Sequence, residues 1–259
     1  MPYFTIGHRL PRSLSAPLFG DRCRWGLNID YNDPMWREWE KTYLAFYEST
    51  QKVSIGDKVN HAGYQIMGDV KLAGKKVQEI GPGDIRHLPY WPEPPQEYVI
   101  ADIQQTMLDR SAEILQKRNI PHRMVLLNRE ESALPFANEE FDAVVSFYSF
   151  EHIYPLAPFI AEINRVLNNK GFLIGAMPAE GGLGWGGGRL LTSRCWLKKN
   201  TGIDPDKLIC WEHPNFADHI LQTLDRYFTR KALHFWPFGL PLIDINLVIK
   251  FIYKKQHQA

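Results

Sequence analysis

The chain has 259 residues, 44% of them hydrophobic and 13% aromatic, and sets 30 Lys and Arg against 29 Asp and Glu for a formal charge of +1. That length and composition can bury one main α/β domain with extensions. A near-neutral chain offers no field for a polyanion, so nucleic acid is not favoured as a partner. Cys23, Cys195 and Cys210 are widely spaced with no CxxC pair, which argues against a disulfide framework or a zinc site, and no metal is expected. There is no basic-then-apolar leader and no apolar run of the roughly eighteen residues a membrane span needs, so a soluble cytoplasmic protein is expected.

Residues 1–34 mix Pro, Gly, Arg and aromatics without a period and read as an arm docked over the rest. From Pro34, Trp36, Trp39, Tyr43 and Phe46 or Tyr47 recur at helical spacing, with Asp33 as N-cap and proline at the first helical position. Residues 1–70 are therefore assigned to an arm and an aromatic helical cap, and 71–259 to the main domain. Within that domain "KKVQEIG", "EYVIADI", "RMVLLN", "FDAVVSFY" and "GFLIGAMP" read as five buried strands. Helical patterns between several of them predict a doubly wound, mostly parallel Rossmann-like sheet. Lys170-Gly171 is expected to close a helix before the fifth strand. Residues 179–230 form an insertion whose "GGLGWGGG" at 181–188 reads as a mobile glycine loop. A helix carrying Phe216, Ile220, Leu221, Leu224 and Phe228 reads as core packing. Residues 231–254 hold two strand-like runs, expected as an antiparallel hairpin at the sheet edge. The tail "YKKQHQA" is too weakly basic for stable membrane anchoring.

The turn "VQEIGPGD", residues 77–84, follows the first of these strands, where glycines let backbone approach a ligand. A phosphate-cradling Walker loop is excluded, because Gly83 is followed by Asp84, Ile85 and Arg86 rather than by Lys and Ser or Thr. A dinucleotide fingerprint is disfavoured by Arg86, which stands where a third glycine would pack. Asp102 ends the second strand about twenty residues beyond the glycines, where a carboxylate can accept both hydroxyls of a ribose. The pattern suits a nucleoside without requiring a pyrophosphate.

With "VQEIGPGD", "VIADI", "ALPFANEEFDAVVSFYSFEHI" and "EINRVLNNKGFLIGAMP" in this order and spacing, the sequence resembles the class I S-adenosylmethionine-dependent methyltransferases over most of residues 74–178 plus the terminal strand pair. The resemblance implies that S-adenosyl-L-methionine is the cofactor. Glu79, Gly81 and Gly83 would hold its methionine half, Asp102 the ribose diol, Ile103 the adenine face, and the chain at Glu130 and Glu131 the adenine edge. Ser146 and Phe147 would line the methionine side. Two positions depart from the family pattern: Ile85 replaces a frequent third glycine, and Glu130-Glu131 replaces an Asp-Ala pair.

Methyl transfer needs donor and nucleophile in line, and a base only when the acceptor must lose a proton. The candidate bases are His152, His213, Tyr148 and His61, with His152 nearest in sequence to the expected site. The tryptophan-rich insertion and the aromatic cap imply a largely enclosed pocket, which suits a small molecule or a saccharide unit. A lipid or quinone-type acceptor is the alternative within enzymes. A non-catalytic scaffold that keeps the cofactor fold is the alternative outside them.

Overall fold

The computed structural model describes residues 2–51 and 54–256. The arm contains two short helices, α1 (Arg12–Phe19) and α2 (Arg22–Trp25), and is followed by α3 (Pro34–Phe46) and α4 (Ser54–Tyr64). Strands β1 (Lys76–Ile80) and β2 (Glu97–Asp102) precede helix α5 (Gln105–Lys117), then β3 (His122–Leu126) and β4 (Phe141–Phe147). Helix α6 (Leu156–Val166) leads into β5 (Leu167–Pro178). Four helices follow, α7 (Leu183–Leu191), α8 (Ser193–Asn200), α9 (Pro205–Glu212) and α10 (Ala217–Tyr227), before β6 (Phe228–Trp236) and β7 (Val248–Lys255).

The strands form one sheet in the order β3-β2-β1-β4-β5-β7-β6. β1 to β5 pair in parallel, while β7 is antiparallel to both β5 and β6. This is the doubly wound, Rossmann-like arrangement with a terminal hairpin at one edge that the alternating sequence predicts. Period-2 alternation divides the sheet between two cores. Val144, Leu173 and Phe251 pack with Ile160 and Ile163 of α6 and Leu221 and Leu224 of α10. Val145, Ile174 and Val248 pack with Val59 of α4 and Leu108 and Leu115 of α5 on the other face.

A third core belongs to the cap, where Trp36 and Trp39 of α3 meet Leu197, Leu208 and Trp211 from α8 and α9. The expected cap at α3 is observed: the Asp33 carboxylate accepts from the Met35 N–H at 2.9 Å, and Pro34 opens the helix. The arm is docked. Phe4 donates its N–H to the Pro241 carbonyl at 3.0 Å, and Asp244 accepts from the Ile6 and Gly7 amides at 2.7 and 2.8 Å.

Two expectations are corrected. α6 ends at Val166, and Lys170 and Gly171 lie inside β5, in the irregular stretch where the β4–β5 register shifts. The glycine-rich segment 181–188 is not a loop, because from Leu183 onward it is the body of α7. Glycine lowers intrinsic helix propensity by about 1 kcal/mol per residue, so tertiary contacts must hold this helix. Gly186 shows why the residue type is used: a Cβ there would lie 2.7 Å from the Phe19 ring and 3.0 Å from Leu18 Cβ, so the missing side chain lets α7 close on α1. Arg189 then pins the helix to the buried Glu180 carboxylate, with Nη1 at 2.8 Å and Nη2 on the second oxygen. Of the tail, residues 257–259 lie outside the described residues.

Candidate active site

A cavity of about 1080 Å³ opens over the carboxyl ends of β1, β2 and β4 and runs beneath α3 and helices α7 to α9. Pockets for a single small ligand are typically about 300–1,000 Å³, so there is room for a nucleoside cofactor together with a small acceptor. A separate hollow of about 350 Å³ over β6, lined by Asp225, Arg230 and Lys231, lies away from these strand ends. Of the residues singled out in the sequence, the cavity wall includes Glu79, Gly81, Gly83, Asp102, Ile103, Glu130, Glu131, Phe147, Tyr148, His152 and His213.

The strand ends set the geometry. Gly81 has φ +65° and Gly83 +55°, the left-handed region that glycine tolerates. Gly81 also needs its missing side chain, because a Cβ would lie 2.5 Å from Ser149 Oγ in the turn after β4. Glu79 is fully buried with both oxygens engaged: His87 Nε2 lies 2.7 Å from Oε1, and the Tyr98 hydroxyl donates to Oε2 at 2.7 Å. His87 Nδ1 accepts from Trp91 Nε1 at 2.8 Å, which leaves Nε2 to carry the proton toward Glu79. Sequence reasoning missed His87 and Tyr98, which no local motif marks.

Asp102 accepts from the Gln104 N–H at 2.8 Å. Burial lifts its carboxyl to about 6 against the opposing backbone hydrogen bonds. Ile103 beside it is 44% exposed. Glu130 and Glu131 sit in an exposed loop organised by Asn128, whose side chain donates to Glu131 at 2.5 Å and accepts from the Glu130 N–H at 3.1 Å. Arg129 ties that loop to Glu40 of α3 at 3.0 Å. Phe147 stacks on His87 with centroids 4.8 Å apart. Ser146 does not line the cavity: it is buried within the sheet between Ile80 and Gly175, and its hydroxyl has no hydrogen-bond partner.

The polar end of the cavity lies where the turn after β4 meets the end of α9. Asn215 fixes that turn, its Nδ2 donating to the Phe150 carbonyl at 2.8 Å and the Ile153 carbonyl at 2.6 Å. His152 Nδ1 lies 2.6 Å from the Glu212 carbonyl and 3.2 Å from its carboxylate. Burial disfavours the imidazolium, but the Glu212 hydrogen bond and the charges of Glu151 and Glu212 prevail and lift His152 to about 9. His213, its ring centroid 4.6 Å from that of His152, is driven the other way, to about 4, by burial and the Arg189 and His152 charges, although Glu180 lies 3.0 Å from its Nδ1. For Glu180, Arg189 and His213 overcome burial and hold the carboxyl well below the usual range.

Tyr148 is committed elsewhere. Its hydroxyl donates to the Asn60 carbonyl at 2.9 Å, and burial pushes it far above the ordinary phenol range. His61, outside the cavity wall, pairs with Tyr90 at 3.0 Å. Glu151, adjacent to His152, was not among the sequence candidates, yet it lines the cavity, is 2% exposed and leaves Oε2 without a partner.

Residues 78–175 match the family described as "Methyltransferase domain". Over that span, from within β1 to within β5, the chain is similar to methyltransferase domains. The YafE protein of Escherichia coli strain K12 is 36% identical over 76 residues, 29% of this chain and 36% of that protein, so the match spans about a third of this curated relative. The PH0226 protein of Pyrococcus horikoshii OT3 shares the fold with a TM-score of 0.57 at 18% identity, over 83% of this chain and 99% of its own. An S-adenosylmethionine-dependent methyltransferase of Mesorhizobium loti does so with a TM-score of 0.50 at 13% identity, over 74% and 95%. The CurJ carbon methyltransferase aligns with a TM-score of 0.56 at 15% identity, over 85% and 59%.

The residues around the cavity fit S-adenosylmethionine, the cofactor that the sequence resemblance implies. A left-handed glycine turn leaves a backbone cradle, a carboxylate at the end of β2 can take a diol, and Tyr43, Tyr47, Tyr64 and Phe147 supply aromatic faces of the kind that attract a cation.

Proposed function

We propose that the protein transfers the methyl group of S-adenosylmethionine to a small-molecule or saccharide acceptor by in-line displacement. In this reading Gly81 and Gly83 present backbone to the methionine half, Asp102 takes the ribose diol, and Ile103 with the 128–131 loop flanks the adenine. Glu79, held by His87 and Tyr98, fixes the turn. When bound, the cofactor supplies an electrophilic methyl on a positively charged sulfur. The chain's part is to hold both reactants in one enclosed space, and positioning of that kind can supply a large share of the acceleration.

The carrying observation is the single cavity that joins the Gly81–Asp102 end to a cluster of ionisable groups under the cap. Its apolar wall of Trp36, Trp39, Tyr43 and Trp211 suits a compact acceptor better than a polymer. A second reading, a lipid or quinone-type acceptor, draws on exposed apolar side chains around the hairpin loop. Phe4, Ile6, Phe238 and Leu240 are 60%, 60%, 64% and 53% exposed.

The test is calorimetry with S-adenosylmethionine and S-adenosylhomocysteine, followed by transfer of labelled methyl to panels of phenols, monosaccharides and amines, and to quinols in phosphatidylcholine vesicles. Transfer to soluble acceptors supports the main reading, and transfer only in vesicles supports the second. Tight cofactor binding without transfer to any panel would leave a scaffold.

A further inference from the structure

We propose that Glu151 is the group that takes the acceptor's proton, and hence that the acceptor presents a hydroxyl. The inference rests on the methyl-transfer reading and adds the chemical class of the nucleophile. Glu151 is a side chain buried to 2% in a cavity wall, and its Oε2 has no partner. A buried polar atom left unpaired costs about 1–3 kcal/mol, so an unpaired carboxylate oxygen on a residue of the cavity wall calls for a partner that an occupant of the cavity can supply. Position supports this. Ser149, two residues earlier, hydrogen-bonds the Ile80 carbonyl at 3.2 Å and packs on Gly81, so one short turn joins Glu151 to the cofactor end of the cavity. Asn215 holds the turn rigid from the far side.

The neighbouring groups divide the work. His152 Nε2 lies 3.9 Å from Glu151 Oε1, Glu180 follows β5, and Arg189 reaches in from α7. Glu212 and His213, at the end of α9, face His152. Burial raises Glu151 to about 7, the His152 and Arg189 charges restraining the rise and Glu180 adding to it. A base poised near working pH is the efficient one. His152, lifted to about 9, already carries its proton there, and His213, at about 4, holds one too weakly.

The step balances. As the acceptor oxygen bonds to the methyl carbon, its O–H electron pair stays on oxygen and the proton passes to Glu151 Oε2. The carbon–sulfur bond breaks with its pair left on sulfur. A sulfonium, a hydroxyl and a carboxylate thus become a thioether, a methyl ether and a carboxylic acid, which then returns its proton to water. A neutral amine would need no proton removed before attack, and an unpaired buried carboxylate would bring it no advantage.

Glu151→Gln, nearly isosteric, is the test, with Glu151→Asp as a variant that keeps the acid. In the cofactor-free protein, infrared titration should show a carboxylic acid deprotonating near 7 in wild type and missing in Glu151→Gln. S-adenosylhomocysteine affinity should stay within about threefold, which reports an intact fold and cofactor site. Turnover on the hydroxyl acceptor returned by the panels should fall about 10²- to 10⁴-fold in Glu151→Gln and lose its acidic limb, while Glu151→Asp keeps the limb. His152→Gln should move that limb to higher pH, because it removes a positive charge that favours the carboxylate.

A component titrating near 7 that survives in Glu151→Gln, read in an Asp102→Asn background that removes the carboxyl near 6, overturns the proposal. So does turnover within about threefold of wild type, or transfer confined to amines. Failure of wild type to bind S-adenosylhomocysteine would instead refute the methyl-transfer reading.

Discussion

Replacing Asp102 with Asn tests the cofactor end of the cavity through both binding and stability. The carboxylate closes β2, accepts from the Gln104 amide at 2.8 Å, and is lifted to about 6 by burial. Two hydroxyls donated by a ribose would stabilise its charged form, so cofactor binding should be linked to loss of the proton. Hydrogen bonds to a charged group contribute about 1.5–3 kcal/mol, so Asp102→Asn should weaken S-adenosylhomocysteine about 10- to 150-fold at about pH 8. In wild type, affinity should fall about tenfold per pH unit once the pH drops below the carboxyl's value in the free protein, and the variant should lack this slope.

Stability should move in the opposite direction. A carboxyl whose folded value is raised costs nothing below its unfolded value near 3.8 and its full penalty above about 6. Asp102→Asn should therefore melt at a higher temperature than wild type at about pH 8, with the gap closing toward about pH 4. Calorimetry across that range with thermal melts in parallel provides both readouts. Equal affinity of the two proteins at the alkaline end, or a flat wild-type profile, would refute the ribose role.

Arg189→Met should destabilise the fold by about 3–5 kcal/mol in urea melts, because it strands the buried Glu180 carboxylate, and Glu180→Gln in the same background should restore part of the loss. Gly186→Ala gains helix propensity but drives a Cβ into Phe19 and Leu18, so a net loss of about 1–3 kcal/mol is expected. At Gly187 a Cβ meets nothing within 4 Å, and Ala there should stabilise by about 0.5–1 kcal/mol; equal effects at the two positions would show that α7 does not press on α1. Hydrogen exchange along residues 186–191 should be slow in the cofactor-free protein, as a packed helix requires, and rapid exchange there would restore the mobile loop.

The alternation of β-branched runs with helical periods already dictates a parallel sheet, since strands buried on both faces must be covered by crossover helices. Asp33-Pro34 marks the start of α3 by local capping chemistry alone. The positive φ of Gly81 and Gly83 and the place of Asp102 at a strand end are likewise local properties, which is why the turn and strand end that border the cavity were legible in "VQEIGPGD" and "VIADI".

Three things depended on distant contacts. Gly184, Gly186, Gly187 and Gly188 read as a loop because propensity counts each residue by itself, whereas the Glu180–Arg189 pair and the close approach to α1 hold a helix. Glu79 is engaged by His87 and Tyr98, which reach it from the loop after β1 and the neighbouring strand. Ionisation at the polar end was decided when the turn after β4 met the end of α9, about sixty residues later in the chain, at His152 and Glu212. A sequence names the titratable groups. Burial and the charges brought beside them decide which of those groups can accept a proton.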